Sequence, residues 1–265
     1  MKIGVSTASY FGKKLTEDAF LELNRINVPV CETFLTTFCE YEQEFIDVLL
    51  KNKQNLEVYS VHALTSNFEP QLYNLAERTR KDALKYFDKV VSAGKKLGAK
   101  VYTFHGGMNL KRTSRCNIEN VGKITNMLSN RAMEQGITLA YENVHWSYYN
   151  YPEFIEQISK YAPNIHTCLD IKQAMQSGIS YKDYIDKMAD RIVNVHLCDY
   201  DSNGKLAVCG KGEVDFYEVF RRLIDSGYDK TCLMEVYSKD YNNFDEIKEG
   251  YEFLLNTYEK AKRFR

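Results

Sequence analysis

Seven apolar runs in this chain carry an acid or an imidazole at their C-terminal end: Glu32, His62, His105, Glu142, Asp170, His196 and Glu235. These side chain types exchange protons near neutral pH and ligate divalent cations. Two residues before each stand Val30, Ser60, Thr103, Ala140, Cys168, Asn194 and Leu233, which are mostly small. The alternate positions are large and apolar, among them Tyr59, Val61, Tyr102, Phe104, Tyr141, Leu169, Val193, Val195 and Met234. Side chains alternate faces along a strand, so the acids and imidazoles share one face with the small residues. Carboxylates gathered in one cavity repel each other and are costly to bury. A divalent cation resolves that repulsion, and mixed His, Asp and Glu ligation suits Zn, Mn, Co or Fe.

The elements that must position these residues follow from periodicity. Runs 2–8, 30–36, 56–63, 100–106, 138–144, 165–171, 192–199 and 230–237 are rich in Val, Ile, Tyr and Thr and read as strands. Stretches with helical spacing lie between them. Tyr181, Tyr184, Ile185 and Met188 form one apolar face. So do Phe216, Val219, Phe220 and Leu223, and Ile247, Tyr251, Leu254, Leu255 and Tyr258. Gly98, Gly136 and Gly227 read as helix stops, and Pro152 suits a first helical turn. Eight strand–helix units in 265 residues leave about 33 residues per unit, the size of a βα repeat. Parallel strands joined this way build an open sheet or a closed barrel. No GxGxxG follows the first strand, and eight units are the number that closes. The expectation is a single α/β domain over residues 1–265, a (β/α)8 TIM barrel. Its C-terminal mouth would gather the seven acids and imidazoles.

Composition narrows the partners. Lys and Arg number 35 against 36 Asp and Glu, a net charge of −1. That balance lacks the basic excess of a duplex-DNA binder, so nucleic acid is not expected as a partner. No apolar run approaches the ~18 residues of a membrane span, and the first residues show no signal-peptide pattern. The seven cysteines are odd in number and contain no CxxC pair. They read as reduced thiols, hence a cytoplasmic expectation. The oligomeric state stays open.

The ordered motifs TFHGG (103–107), YEN (141–143), LDIKQA (169–174), NVHLCD (194–199), GKGEVDF (210–216) and MEV (234–236) resemble the xylose isomerase-like barrel superfamily. That group holds sugar and sugar-phosphate isomerases and epimerases, and the endonuclease IV type of AP endonuclease. The resemblance implies a metal site of Glu142, Asp170, His196 and Glu235, with Glu142 and Glu235 also acting as the acid/base pair. His62 and His105 would complete a second metal position with Glu142, or bind substrate oxygens. The endonuclease pattern needs a third zinc, held by a His where this chain has Gln173 and by an Asp-x-His between Asp199 and Gly210, where no His occurs. The implied activity is therefore metal-dependent isomerisation or epimerisation of a small sugar, sugar phosphate or hydroxy-keto acid. Alternatives are the endonuclease, a polyol dehydratase or hydrolase on the same barrel, and a non-catalytic sugar-binding subunit.

Further residues are candidates for contact with a carbohydrate-like substrate. They are Glu32, His145, Trp146, Gln173 and Lys211. Trp146, Tyr148, Tyr149 and Tyr151 crowd one loop and would suit an apolar lid. Gly210-Lys211-Gly212, with Lys205 nearby, offers backbone N–H groups for an anion, or else a solvated loop. His166 begins its strand and is expected at the barrel bottom. Lys172 has the outward parity and reads as a surface residue.

Overall fold

A computed structural model of the chain describes residues 1–109 and 116–263. In chain order its strands are β1 (Lys2–Ser6), β2 (Val30–Leu35), β3 (Glu57–Ala63), β4 (Val101–Phe104), β5 (Thr138–Glu142), β6 (His166–Asp170), β7 (Ile192–Leu197), β8 (Asp199–Tyr200), β9 (Leu206–Ala207) and β10 (Thr231–Met234). β8 and β9 make a small antiparallel hairpin. The other eight are all parallel and close into a barrel in sequence order, with β10 pairing β1. The helices are α1 (Thr16–Arg25), α2 (Gln43–Lys53), α3 (Glu77–Leu97), α4 (Ile118–Met133), α5 (Phe154–Ile158), α6 (Ile171–Gln176), α7 (Tyr181–Met188), α8 (Phe216–Asp225) and α9 (Asp245–Lys262). This is the (β/α)8 barrel expected from the alternation of the two periodicities.

Each expected strand is present, and all but β3 end one to three residues early at the mouth. His105 and Glu235 thus lie one residue beyond β4 and β10. The expected helical faces are buried except at Leu255: all four marked residues of α7 and of α8 lie inside, as do Ile247, Tyr251, Leu254 and Tyr258 of α9, while Leu255 is exposed. Gly98, Gly136 and Gly227 take positive φ at the three stops. Between strands and helices runs the main core, where Phe20, Phe87, Tyr102, Phe104, Tyr149 and Phe154 are buried. Burying each such ring contributes roughly 1.5–3 kcal/mol.

Inside the barrel a second, smaller cluster of Val101, Ala140, Cys168 and Val193 packs with Tyr59. Strict alternation placed Tyr59 and Val193 on the outer face. Two register shifts turn them inward. Cys31 pairs Val58 and Glu32 pairs Ser60, so Tyr59 is the extra residue of a bulge. Thr167 pairs Ile192 and Cys168 pairs Asn194, which makes Val193 the extra residue of another. The Tyr59 hydroxyl donates to the Val193 carbonyl at 2.6 Å, joining the two bulges across the barrel floor.

A candidate metal centre at the barrel mouth

Four side chains from four consecutive strands of the ring meet at one place. His196, on β7, points Nδ1 toward three carboxylates. Glu142 Oε1 lies 3.2 Å away, Glu235 Oε2 3.5 Å and Asp170 Oδ2 3.8 Å. All four residues are buried or nearly so. Asp170 Oδ2 and Glu235 Oε2 are buried and receive no hydrogen bond. Buried carboxylate oxygens without a donor are costly, and a cation shared by them removes the cost. The donor set of three carboxylates and one imidazole nitrogen therefore fits a divalent metal ion.

Local structure aims each ligand. Asp170 ends β6 and caps α6, its Oδ1 accepting from Gln173 N at 2.9 Å, so its other oxygen is left facing the centre. Asn143 locks the neighbouring loop: its side chain donates to Asp170 O and accepts from Asp170 N, both at 2.8 Å. Behind His196 stands Glu32. Its Oε1 is 3.1 Å from His196 Nε2. That partner favours a proton on Nε2 and leaves the Nδ1 lone pair for the centre, the arrangement by which a carboxylate orients a ligating imidazole. Glu32 Oε2 in turn accepts from Ser60, Thr103 and Asn194 at 2.8, 2.6 and 3.1 Å.

Glu32 was expected to meet substrate, yet it is fully buried. Strand β2 runs on to Leu35, and Phe34, not Glu32, takes the position level with His62. Strand stagger in a closed barrel breaks the link between place in a strand and height in the mouth. Phe34 stacks on His62 with ring centroids 5.1 Å apart. Beside Phe34 opens a cavity of about 440 Å³, lined among others by Thr7, Phe11, Lys13, Thr16 and Thr36.

His62 and His105 adjoin the centre. His105 Nε2 is 2.7 Å from Glu142 Oε2, and Thr65 bonds its Nδ1. His62 Nδ1 pairs with Thr103 O at 2.9 Å. One ligating atom each from His62, His105 and Glu142 lies within 4.8 Å of the others, a second arrangement that could hold an ion. His105 is followed by two glycines for steric reasons. A Cβ on Gly106 would fall 2.0 Å from Tyr141 Oη, and one on Gly107 2.1 Å from the Tyr148 ring. Glu69 supports the same turn. It is fully buried, accepting from Tyr102 Oη at 2.7 Å and His105 N at 3.1 Å. Burial pushes its carboxyl up to about 7.

Lys172 reverses the surface reading. Its side chain is 1% exposed, and Nζ lies 3.3 Å from Asp170 Oδ2 and 3.0 Å from Glu235 Oε1. Strand alternation predicted the opposite because it was carried past Asp170, where α6 already begins. Burial alone would depress this ammonium, but Asp170 and Glu235 outweigh it and hold its pKa well above the ordinary range. Burial likewise pushes Glu235 up, and Lys172 and His196 overcome it, drawing the carboxyl down to about 2. At Asp170 burial wins over Lys172 and the carboxyl is raised. Burial works against a charged His196, but Cys168, Glu32, Glu235 and Glu142 raise it well above the usual imidazole range.

The remaining candidates divide. His145 and Gln173 meet each other, with His145 Nδ1 2.7 Å from Gln173 Oε1. Trp146 packs edge-on against His105 at 5.3 Å, within the mouth. The other lid candidates face elsewhere: Tyr149 is buried against Phe154 and Tyr184, Tyr148 meets Tyr73, and Tyr151 meets Phe154. Lys211 is more than half exposed and pairs with Glu249 at 3.0 Å, outside the centre. The backbone amides of Gly210-Lys211-Gly212, read as an anion cradle or a solvated loop, are occupied from within. Asp199 accepts from Gly210 N and Gly212 N at 2.9 Å and from Val214 N at 3.0 Å. His166 begins β6, at the end away from the centre, as expected. Sequence reading missed Asn143, Glu69 and Thr65. Asn143 follows Glu142 directly and could have been flagged, whereas Glu69 and Thr65 lie in a loop of irregular turns without a periodic signal.

All seven cysteines are free thiols. Among the described residues no helix is long and apolar enough to cross a membrane.

Comparison with known proteins agrees with this architecture. Among curated proteins nothing matches the sequence. Among solved structures, a D-tagatose 3-epimerase-like protein superposes with a TM-score of 0.82 at 21% identity, covering 99% of both chains. L-ribulose 3-epimerase gives 0.76 at 16% identity, over 99% of this chain and 96% of its own. The probable 3-DHS dehydratase AsbF of Bacillus anthracis gives 0.78 at 14%, over 97% and 99%. At these identities the likeness is one of fold. The family model for the xylose isomerase-like TIM barrel matches residues 34–257, and the chain belongs to that family.

Proposed function

We propose that this chain is a divalent-metal-dependent isomerase or epimerase of a small sugar, sugar phosphate or hydroxy-keto acid. The observation that carries the reading is the convergence of Glu142, Asp170 and Glu235 within 3.8 Å of His196 Nδ1, with the buried Asp170 Oδ2 and Glu235 Oε2 accepting no hydrogen bond. Zn, Mn, Co or Fe bound by these four residues would supply Lewis-acid stabilisation of negative charge developing on a substrate carbonyl oxygen.

The chain's own residues supply the proton chemistry. Moving a proton next to a carbonyl needs a base, and inverting that carbon needs an acid on the opposite face. Glu235 is the base on one side, with its Oε2 free of hydrogen bonds. Glu142 is its counterpart. Its contact with His105 Nε2, and through that ring with Thr65, offers a path for the proton toward the mouth. Phe34 and Trp146 exclude water and present faces to sugar C–H groups. The cavity beside Phe34 accommodates the part of the substrate that does not react. His145, Gln173 and, if no second ion binds there, His62 are placed to hydrogen-bond hydroxyls.

The test is solvent deuterium uptake into a panel of ketoses, ketose phosphates and hydroxy-keto acids, with Mn²⁺ supplied or chelated. Metal-dependent exchange at one carbon supports the reading. Substrate consumption with loss of water and a new conjugated absorbance would transfer the same site to a dehydratase. Efficient metal-dependent incision of abasic-site DNA by the parent chain would overturn both.

A further inference from the structure

The mechanism leaves Lys172 unused, although it is the only Lys or Arg side chain in direct contact with the centre among the described residues. An ammonium has three donors and no acceptor, and is rarely buried without anionic partners. Here Nζ reaches Asp170 Oδ2 at 3.3 Å and Glu235 Oε1 at 3.0 Å, while the Tyr237 ring covers it with its centroid 4.5 Å away. Among the described residues, the only hydrogen bond to the Glu235 carboxylate comes from Lys172.

We propose that Lys172 is a built-in counter-ion of the carboxylate centre: it holds Asp170 and Glu235 together before a divalent ion binds and lowers the centre's affinity for that ion. The inference rests on the metal reading above. With a neutral His196, three carboxylates, one ammonium and one divalent ion sum to zero charge. Without the ammonium the same ion leaves the centre negative and is held more strongly. Removing Lys172 has two opposed effects. Losing a hydrogen bond that orients the ligands weakens metal binding by about 10–100-fold. Losing a positive charge that touches two of the ligands strengthens it. Repulsion between a single and a double charge is doubled and, in a buried site, little screened, so the second effect prevails. Lys172 is thus a positioning residue that keeps the ion exchangeable and limits the Asp170–Glu235 side to one.

The experiment is a calorimetric titration of Mn²⁺ into the chelator-treated full chain, with thermal unfolding of the same samples without Mn²⁺. Lys172→Met should bind Mn²⁺ at least about tenfold more tightly than the parent and melt at a lower temperature without it. Lys172→Arg keeps the charge and should stay within about threefold of the parent. A Met variant that folds only with Mn²⁺ present also supports the counter-ion role; if it folds in neither condition, Lys172→Gln takes its place under the same criteria. Equal or weaker Mn²⁺ binding by the neutral variant overturns the inference and leaves the metal reading intact. An Arg variant that binds as tightly as the neutral one overturns it too. A parent chain that binds no Mn²⁺ overturns the metal reading, and this inference with it.

Discussion

At the scale of single residues, the centre is asymmetric. Glu142 touches two imidazoles, whereas Glu235 touches an ammonium and leaves one oxygen open to the centre. That asymmetry makes Glu235→Gln informative. The substitution keeps the shape and one ligand oxygen but removes the basicity. Deuterium exchange into substrate should fall about 10²–10⁴-fold while calorimetry still detects Mn²⁺ binding; exchange at the parental rate would exclude Glu235 as the base. Glu32 acts one step further back, through His196 Nε2. In Glu32→Gln the hydroxyls of Ser60 and Thr103 keep a polar partner, but the imidazole loses its carboxylate. Mn²⁺ affinity should drop by about 10–100-fold with little change in the far-ultraviolet circular dichroism. Unaltered affinity would mean that packing alone orients the His196 ring.

At the scale of elements, the loops after β4 and β5 form the wall that carries His105 and Trp146. The turn after His105 works because Gly106 takes φ +74° and lets the backbone pass against Tyr141. Gly106→Ala combines left-handed strain, about 1–2 kcal/mol, with a direct clash at Tyr141 Oη. Gly136→Ala is the matched control, since φ is +80° there and nothing lies within 4 Å of the added carbon. Chemical denaturation should show a clearly larger loss for Gly106→Ala, and only that variant should lose exchange activity. Equal losses would show that the turn yields without moving His105. The loop between β9 and α8 makes a related point. It reads as an anion cradle in isolation, but the fold returns Asp199 into its glycine amides.

For the whole molecule, pH links the site to stability. Glu69 is raised to about 7, so it opposes folding increasingly as pH rises from the ordinary carboxylate value of 4.5 toward 7. His196 is raised above 6.5, so its contribution is complete below pH 6.5 and is lost as pH climbs through its folded value. Glu235, lowered to about 2, contributes above pH 4.5 and is lost as pH falls toward 2. The chelator-treated chain should therefore melt at its highest temperature near pH 5 and lower on either side. Excess Mn²⁺ needs deprotonated ligands, so the rise in melting temperature that it causes should grow from pH 5 to pH 8. A metal-induced rise that shrinks over that range would contradict ligation by His196 and the three carboxylates.

The sequence alone determined the barrel, because period-2 and period-3.6 patterns report which face of each element is buried, and that requirement is local. It also determined that Glu142, Asp170, His196 and Glu235 share the inner face of their strands. Alternation fails wherever the backbone leaves ideal geometry, and those departures belong to the closed ring. Bulges turned Tyr59 and Val193 inward, and stagger lowered Glu32 beneath the mouth and raised Phe34 into it. The start of α6 swung Lys172 from the expected surface onto Asp170 and Glu235. Which charges touch was decided only by the tertiary structure, because contact between residues 63 positions apart depends on how eight strands close, a constraint that no single segment carries.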